Sequence, residues 1–77
     1  MNVESLKSKL LSIPGVLGVE VKETKSEGVD IYLTLRIKKY SPKLGLQVAK
    51  TIGKEVGKCV VSNQEIPEID WDYVEIN

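Results

Sequence analysis

Residues 29–38 read VDIYLTLRIK, and this stretch decides the fold of the chain. Aliphatic side chains occupy every second position, and other residue types stand between them. In a β-strand successive side chains point to opposite faces of the sheet, so the alternation indicates one buried face and one face in water. We therefore predict a strand here, with an exposed face made of Tyr32, Thr34, Arg36 and Lys38.

A short helix is predicted near the N-terminus. Residues 3–13 carry the apolar side chains Val3, Leu6, Leu10 and Ile13 at spacings of three and four, which is typical of one helical face. Asn2 is the candidate N-cap. Pro14-Gly15 ends the pattern, because proline disfavours helix in the residue before it.

A second strand is predicted between this helix and residues 29–38. Leu17, Val19 and Val21 alternate with Gly18, Glu20 and Lys22, which places the three aliphatic residues on its inner face. The polar residues 23–28 form a turn. The two strands are therefore expected to pair as an antiparallel hairpin.

A long helix is predicted after the hairpin. Ser41 can cap its N-terminus, and Pro42 suits the first helical position, where no backbone donor is needed. The helix should run to about Lys58. Its predicted core row consists of Leu44, Val48, Ile52 and Val56.

A last strand is predicted at residues 69–74, where Ile69, Trp71 and Tyr73 alternate with other residues. The element order is α-β-β-α-β. A chain of 77 residues has room for one core, so residues 1–77 form a single domain. The one-sided patterns predict an α+β fold, with one three-stranded sheet and both helices packed on one face. If the second and last strands are parallel neighbours, the connection should be right-handed; the strand order stays open.

The residue types restrict the chemistry. The chain has no histidine to activate a serine or cysteine nucleophile, so we predict no catalytic residue and no enzyme activity. The single cysteine, Cys59, excludes an internal disulfide and a multi-cysteine metal site, and we expect it in the core. Asp70 and Asp72 share one side of the last strand, where solvated carboxylates are expected rather than a cation site. No cofactor or small-molecule substrate is indicated.

Neither a signal peptide nor a membrane-spanning run is visible in the sequence. One unpaired cysteine fits a reducing compartment. We therefore expect a cytoplasmic protein, in which association with the inner face of the cell envelope is open.

The long helix carries a row of basic residues opposite its core row. Like charges four residues apart repel each other, and no acid interrupts the row. The row is either a solvated face or a binding site for an anionic partner such as RNA, a phospholipid surface or an acidic protein. The row consists of Lys43, Gln47, Lys50, Lys54 and Lys58, of which the four lysines are the candidate site residues.

Small residues form another row on the same helix. It consists of Gly45, Ala49, Gly53 and Gly57. Three glycines in a helix cost roughly 2 to 3 kcal/mol relative to alanine, so close packing is expected to offset the cost. The packing partner is either the rest of this domain or another molecule, a second subunit or a nucleic-acid backbone. Alternatively, Gly57 ends the helix.

Charge is segregated along the chain although the formal net charge is zero. Residues 36–58 contain seven bases and one acid, and residues 64–77 contain five acids and no base. Part of this charge should pair internally, with Asp70 or Asp72 against Arg36 or Lys38 on a neighbouring strand.

Four segments resemble the alkaline-shock-protein family of bacteria: IPGV at residues 13–16, VDIYL at 29–33, KLGLQVAK at 43–50 and IDWDYV at 69–74. The chain lacks the glycine-rich insertion that the family carries after the first turn. The resemblance implies a non-enzymatic protein of cell-envelope stress or homeostasis that binds a protein partner or itself.

The same element order also resembles KH-like modules, with residues 66–69 (IPEI) similar to the entry to the last strand in ribosome-binding factor A. This alternative implies an RNA- or ribosome-binding module. No Gly-x-x-Gly loop is present; the nearest spacing is Gly53 to Gly57. The main expectation is therefore a non-enzymatic binding or assembly domain.

Overall fold

A computed structural model of the chain describes residues 1–24 and 28–76. Two helices and three strands follow one another in the predicted order α-β-β-α-β, which confirms the α+β class. The predicted turn at 23–28 lies partly outside the described residues. The elements are α1 (Val3–Leu11), β1 (Val16–Glu23), β2 (Ile31–Ile37), α2 (Pro42–Val61) and β3 (Ile69–Glu75).

The sheet has the strand order β1-β2-β3, so the strand predicted from residues 29–38 lies in the centre. β1 pairs with it antiparallel, as expected for a hairpin. β3 pairs with it parallel, with Ile31 beside Ile69 and Ile37 beside Glu75. A parallel pair needs a long crossover connection, and α2 supplies it.

The core lies between one face of this sheet and both helices. Ile31, Leu33, Leu35 and Ile37 of β2 are all buried, and the aliphatic rows of α1 and α2 pack onto the same face. The helix residues in this core are Leu6 and Leu10 of α1, and Leu44, Val48 and Ile52 of α2. The other face of the sheet carries no helix in the described part of the chain. Arg36 and Lys38 are exposed there as predicted, whereas Tyr32 and Thr34 are half-buried.

Both predicted N-caps are present. The Asn2 side chain accepts a hydrogen bond from the backbone N–H of Ser5 at 3.0 Å. The Ser41 hydroxyl accepts one from the backbone N–H of Leu44 at 3.2 Å. Each satisfies one of the amides that a helix N-terminus leaves without an intrahelical partner.

The prediction that Leu17 faces the core is wrong. Val16 pairs with Ile37 and Gly18 with Arg36, so the register shifts and Leu17 is an extra residue in β1. Such a bulge reverses the side-chain phase on one side of it. Val16 takes the buried position instead, and Leu17 is 57% exposed.

Helix α2 is longer than predicted, because it continues past Lys58 to Val61. Gly57 therefore does not end it. The terminus falls at Ser62, whose backbone N–H donates to the carbonyl of Lys58, and the N–H of the following residue, Asn63, donates to the carbonyl of Val60. Val56, which we placed in the core row, is only half-buried, whereas Cys59 is buried as predicted.

An ion pair joins the two helices at the edge of the core. Glu55 is only 5% exposed, and its carboxylate accepts a hydrogen bond from the ammonium group of Lys9 on α1. Lys58, one turn further along α2, places its Nζ 3.4 Å from the same Oε1. The hydrogen bond from Lys9 holds the pKa of Glu55 below its ordinary value, against the opposing effect of burial.

We expect Glu55→Gln to lower the free energy of unfolding by about 1 to 3 kcal/mol at neutral pH, since a charge-assisted hydrogen bond in the helix–helix contact is lost. Because the folded-state pKa of Glu55 is depressed, its contribution is complete above the ordinary glutamate pKa and disappears as the pH falls through the folded value. Urea unfolding of both proteins at several pH values measures the difference. A gap that persists unchanged into strong acid would contradict this assignment.

Candidate interaction surface

The surface of α2 that faces away from the core has two different flanks. The core side is formed by Leu44, Val48, Ile52, Glu55 and Cys59, which are the buried residues of the helix. Successive residues of a helix are about 100° apart around its axis. The lysine row therefore lies on one side of the buried face of α2, and the row of small residues lies on the other side. Lys9 of α1 reaches Glu55, so α1 lies against the side that carries Thr51 and Lys58.

The lysine flank consists of Lys43, Lys50, Lys54 and Lys58, and all four are exposed. Lys58 shares the Glu55 carboxylate with Lys9, so its charge is partly compensated. Within residues 1–24 and 28–76, no ion pair involves Lys43, Lys50 or Lys54. The predicted basic surface is therefore brought together by the structure, with three uncompensated ammonium groups along one helix.

The row of small residues does not pack as a unit. Successive members are four residues apart, so the row turns by about 40° at each step around the helix, away from the core. At Gly45 a side-chain carbon would collide with the hydroxyl end of Tyr40, whose ring stands edge-on to Tyr73 with centroids 5.0 Å apart. At Gly53 and Gly57 it would meet no atom of residues 1–24 and 28–76 within 4 Å. Close packing inside the domain is thus confined to Gly45.

The open part of this row belongs to a surface that we call the uncharged flank. It is apolar or small throughout, and two of its members, Leu46 and Val60, are 56% and 58% exposed. Tyr40, wedged between Gly45 and Tyr73, connects this side of α2 to β3. The uncharged flank consists of Leu46, Ala49, Gly53 and Val60, with Gly57 at its outer margin.

The carboxylates of β3 do not pair with the bases that we predicted. Arg36 forms its ion pair with Glu20 of β1, on the other side of the central strand. Asp72 instead accepts a hydrogen bond from the hydroxyl of Tyr32 at 2.8 Å, and this bond raises the pKa of Tyr32. Asp70 accepts one from the backbone N–H of Trp71 at 2.9 Å. The negative charge of β3 therefore stays uncompensated by the bases of β2.

The described residues contain neither a cluster of metal-ligating side chains nor a membrane-spanning helix. No group of three potential metal ligands occurs within 1–24 and 28–76. In the same part of the chain, no helix has the length and apolarity needed to cross a bilayer. Cys59 is 2% exposed and lines the depression between the N-terminus of α1 and the end of α2, together with Glu55 and Gln64.

Sequence reasoning missed Glu55 as a buried residue, although a signal was present. Val48, Ile52, Glu55 and Cys59 follow one another at spacings of four, three and four, which is the pattern of a single helical face. The charge of Glu55 alone predicts an exposed side chain, whereas its place in this row predicts a buried one.

No protein-family model, curated protein or solved structure matches this chain.

We expect Gly53→Ala to raise the free energy of unfolding of the isolated domain by about 0.5 to 1 kcal/mol, because alanine is the better helix former and its methyl group has no described atom within 4 Å. Gly45→Ala is the matched control. There the same helix gain is opposed by displacement of the Tyr40 ring from Tyr73, so it should be the less stable of the two variants. Thermal unfolding of the three proteins tests the order; equal gains at both sites would show that Tyr40 does not restrict α2.

Proposed function

We propose that this chain is a non-enzymatic binding or assembly domain that recognises a protein partner, a second copy of itself included, through the uncharged flank of α2. The observation that carries the proposal is the space at Gly53. A glycine in the middle of a helix costs stability, and no described residue comes within 4 Å of a side-chain carbon placed at this one. A partner that approaches the helix backbone closely would recover that cost.

The composition of the flank supports a protein partner. Leu46 and Val60 present aliphatic side chains on either side of the small residues Ala49 and Gly53. The flat surface between these two protruding side chains suits the packing of another helix, or of a row of side chains, from the partner. Small residues permit a short distance between the two backbones. The absence of charge on the flank also means that no desolvation of an ion opposes such a contact.

The resemblance to alkaline-shock proteins supports a role for this binding in cell-envelope stress or homeostasis. We place the protein in the cytoplasm, where it could also lie at the inner face of the envelope. The exposed lysine flank is next to the uncharged one on the same helix, so an anionic membrane surface or an acidic region of the partner would bind beside the apolar contact.

We expect Leu46→Asp to weaken self-association or partner binding, because a carboxylate would have to be desolvated in the apolar contact. Leu17→Asp is the matched control: Leu17 is 57% exposed, like Leu46, but it lies on the bulge of β1. Light scattering after gel filtration, over a wide range of concentration and salt, measures self-association of both variants. Capture of proteins from a cell lysate by each immobilised variant extends the comparison to other partners. A protein that stays monomeric and binds no partner, or equal effects of both substitutions, would refute the proposal.

RNA binding by the lysine flank is the second candidate function, and the three uncompensated lysines favour it. Against it, α2 is one continuous helix, so Gly53 and Gly57 lie on a helical surface and form no Gly-x-x-Gly loop between two helices. The zero net charge also differs from the basic character of most nucleic-acid binders.

If RNA is the partner, replacing Lys50 and Lys54 together with glutamine should weaken binding for all sequences and reduce its salt dependence, as fewer counterions are released. The double variant Lys22→Gln and Lys39→Gln removes two exposed charges from other surfaces and serves as control. Filter binding at low salt, with anionic liposomes tested in parallel, separates the two anionic partners. No retention of RNA by the wild-type protein at low salt would remove this candidate.

A further inference from the structure

β3 is one of the two edge strands of the sheet, and its alternate residues turn their backbone groups to opposite sides. The Glu68 carbonyl accepts from the backbone N–H groups of Asp30 and Ile31, and the Ile76 N–H donates to the Ile37 carbonyl. Even-numbered positions therefore face β2. The odd-numbered positions Ile69, Trp71, Tyr73 and Glu75 direct their backbone donors and acceptors to the open edge.

The hydrogen bond of Trp71 agrees with this assignment. Its backbone N–H donates to the side chain of Asp70 and not to β2. A carboxylate that occupies an edge amide hinders indiscriminate pairing with neutral strands, which is a common protection of edge strands.

The side chains along this edge differ between the two faces of the sheet. Asp70 and Asp72 stand on the face without helices, and Trp71 and Tyr73 stand half-buried on the helix side. Residues 64–77 contain five acids and no base, and the ion pairs of the described residues do not involve Asp70 or Asp72. Among the described residues, the edge thus combines backbone groups that no neighbouring strand uses, two carboxylates without a basic partner and a half-buried aromatic row.

We propose that the open edge of β3 binds an extended protein segment as a fourth strand, one with basic residues at alternate positions and apolar residues between them. The basic side chains pair with Asp70 and Asp72, and the apolar ones cover Trp71 and Tyr73. A carbonyl of the segment replaces the Asp70 oxygen at the Trp71 N–H, while the carboxylate turns to the incoming cation. Main-chain hydrogen bonds then supply affinity, and the alternate side chains supply specificity.

A second copy of β3 does not suit this edge. Two such strands paired across a two-fold axis would bring the carboxylates of Asp70 and Asp72 in both copies together, and like charges opposite each other destabilise a strand pair. The inference rests on the proposed binding function and names the chemical class of a partner at β3.

Synthetic peptides of strictly alternating lysine and valine test the proposal, with the alternating glutamate and valine peptide as charge control. Trp71 is the only tryptophan, so its fluorescence reports binding at this edge. We expect binding of the lysine peptide only, weakened by salt. N-methylation removes an amide donor. At the peptide amides that face β3 it should abolish binding, and at the alternate amides, which face away, it should leave binding unchanged.

Asp70→Asn with Asp72→Asn should weaken binding about 2- to 30-fold, as two opposite-charge pairs are lost. Asparagine keeps an acceptor oxygen for the Trp71 N–H and for the Tyr32 hydroxyl, so the fold is retained. Glu4→Gln, an exposed acid of α1, is the matched control. Equal binding of both peptides, binding of neither, or indifference to the position of N-methylation would overturn the inference. The assembly function proposed for α2 is tested separately by Leu46→Asp, so one can fail without the other.

Discussion

The whole domain depends on the position of β2, which is hydrogen-bonded to a strand on each side and buried on one face by both helices. A strand in this position is hydrogen-bonded along both edges and has its aliphatic row out of water, so it contributes the largest continuous part of the core. Its parallel pairing with β3 requires a connection that crosses the sheet. That requirement sets the place of α2 on the sheet and gives the helix one side toward α1 and another toward β3.

Helix α2 carries different chemistry on each of its sides because 3.6 residues make one turn. Residues that repeat every four positions drift around the axis, whereas alternating spacings of three and four stay in line. Glycines at intervals of four therefore leave the core and reach open space at Gly53 and Gly57. Glu55, in line with Val48 and Ile52, is carried into the core margin, where it needs Lys9 as counter-ion.

The separation of charge along the chain becomes a separation in space. Basic residues cluster on the outer surface of α2, and carboxylates line the edge strand β3. The formal net charge of zero conceals both surfaces. A module built in this way can present an apolar helix flank, a basic flank and an acidic sheet edge to different parts of one assembly, and long-range fields would orient the approach of each.

The sequence by itself determined the order of the elements, both N-caps, the inner face of β2, the burial of Cys59 and the exposure of the lysine row. These follow from local periodicity and capping, which depend on residues a few positions apart. Only the tertiary structure decided the central place of β2, the bulge that exposes Leu17, the ion pair that buries Glu55 and the empty space beside Gly53. Each of these depends on residues far apart in the chain, such as Val16 with Ile37 or Lys9 with Glu55, and a local pattern does not specify which distant partners meet.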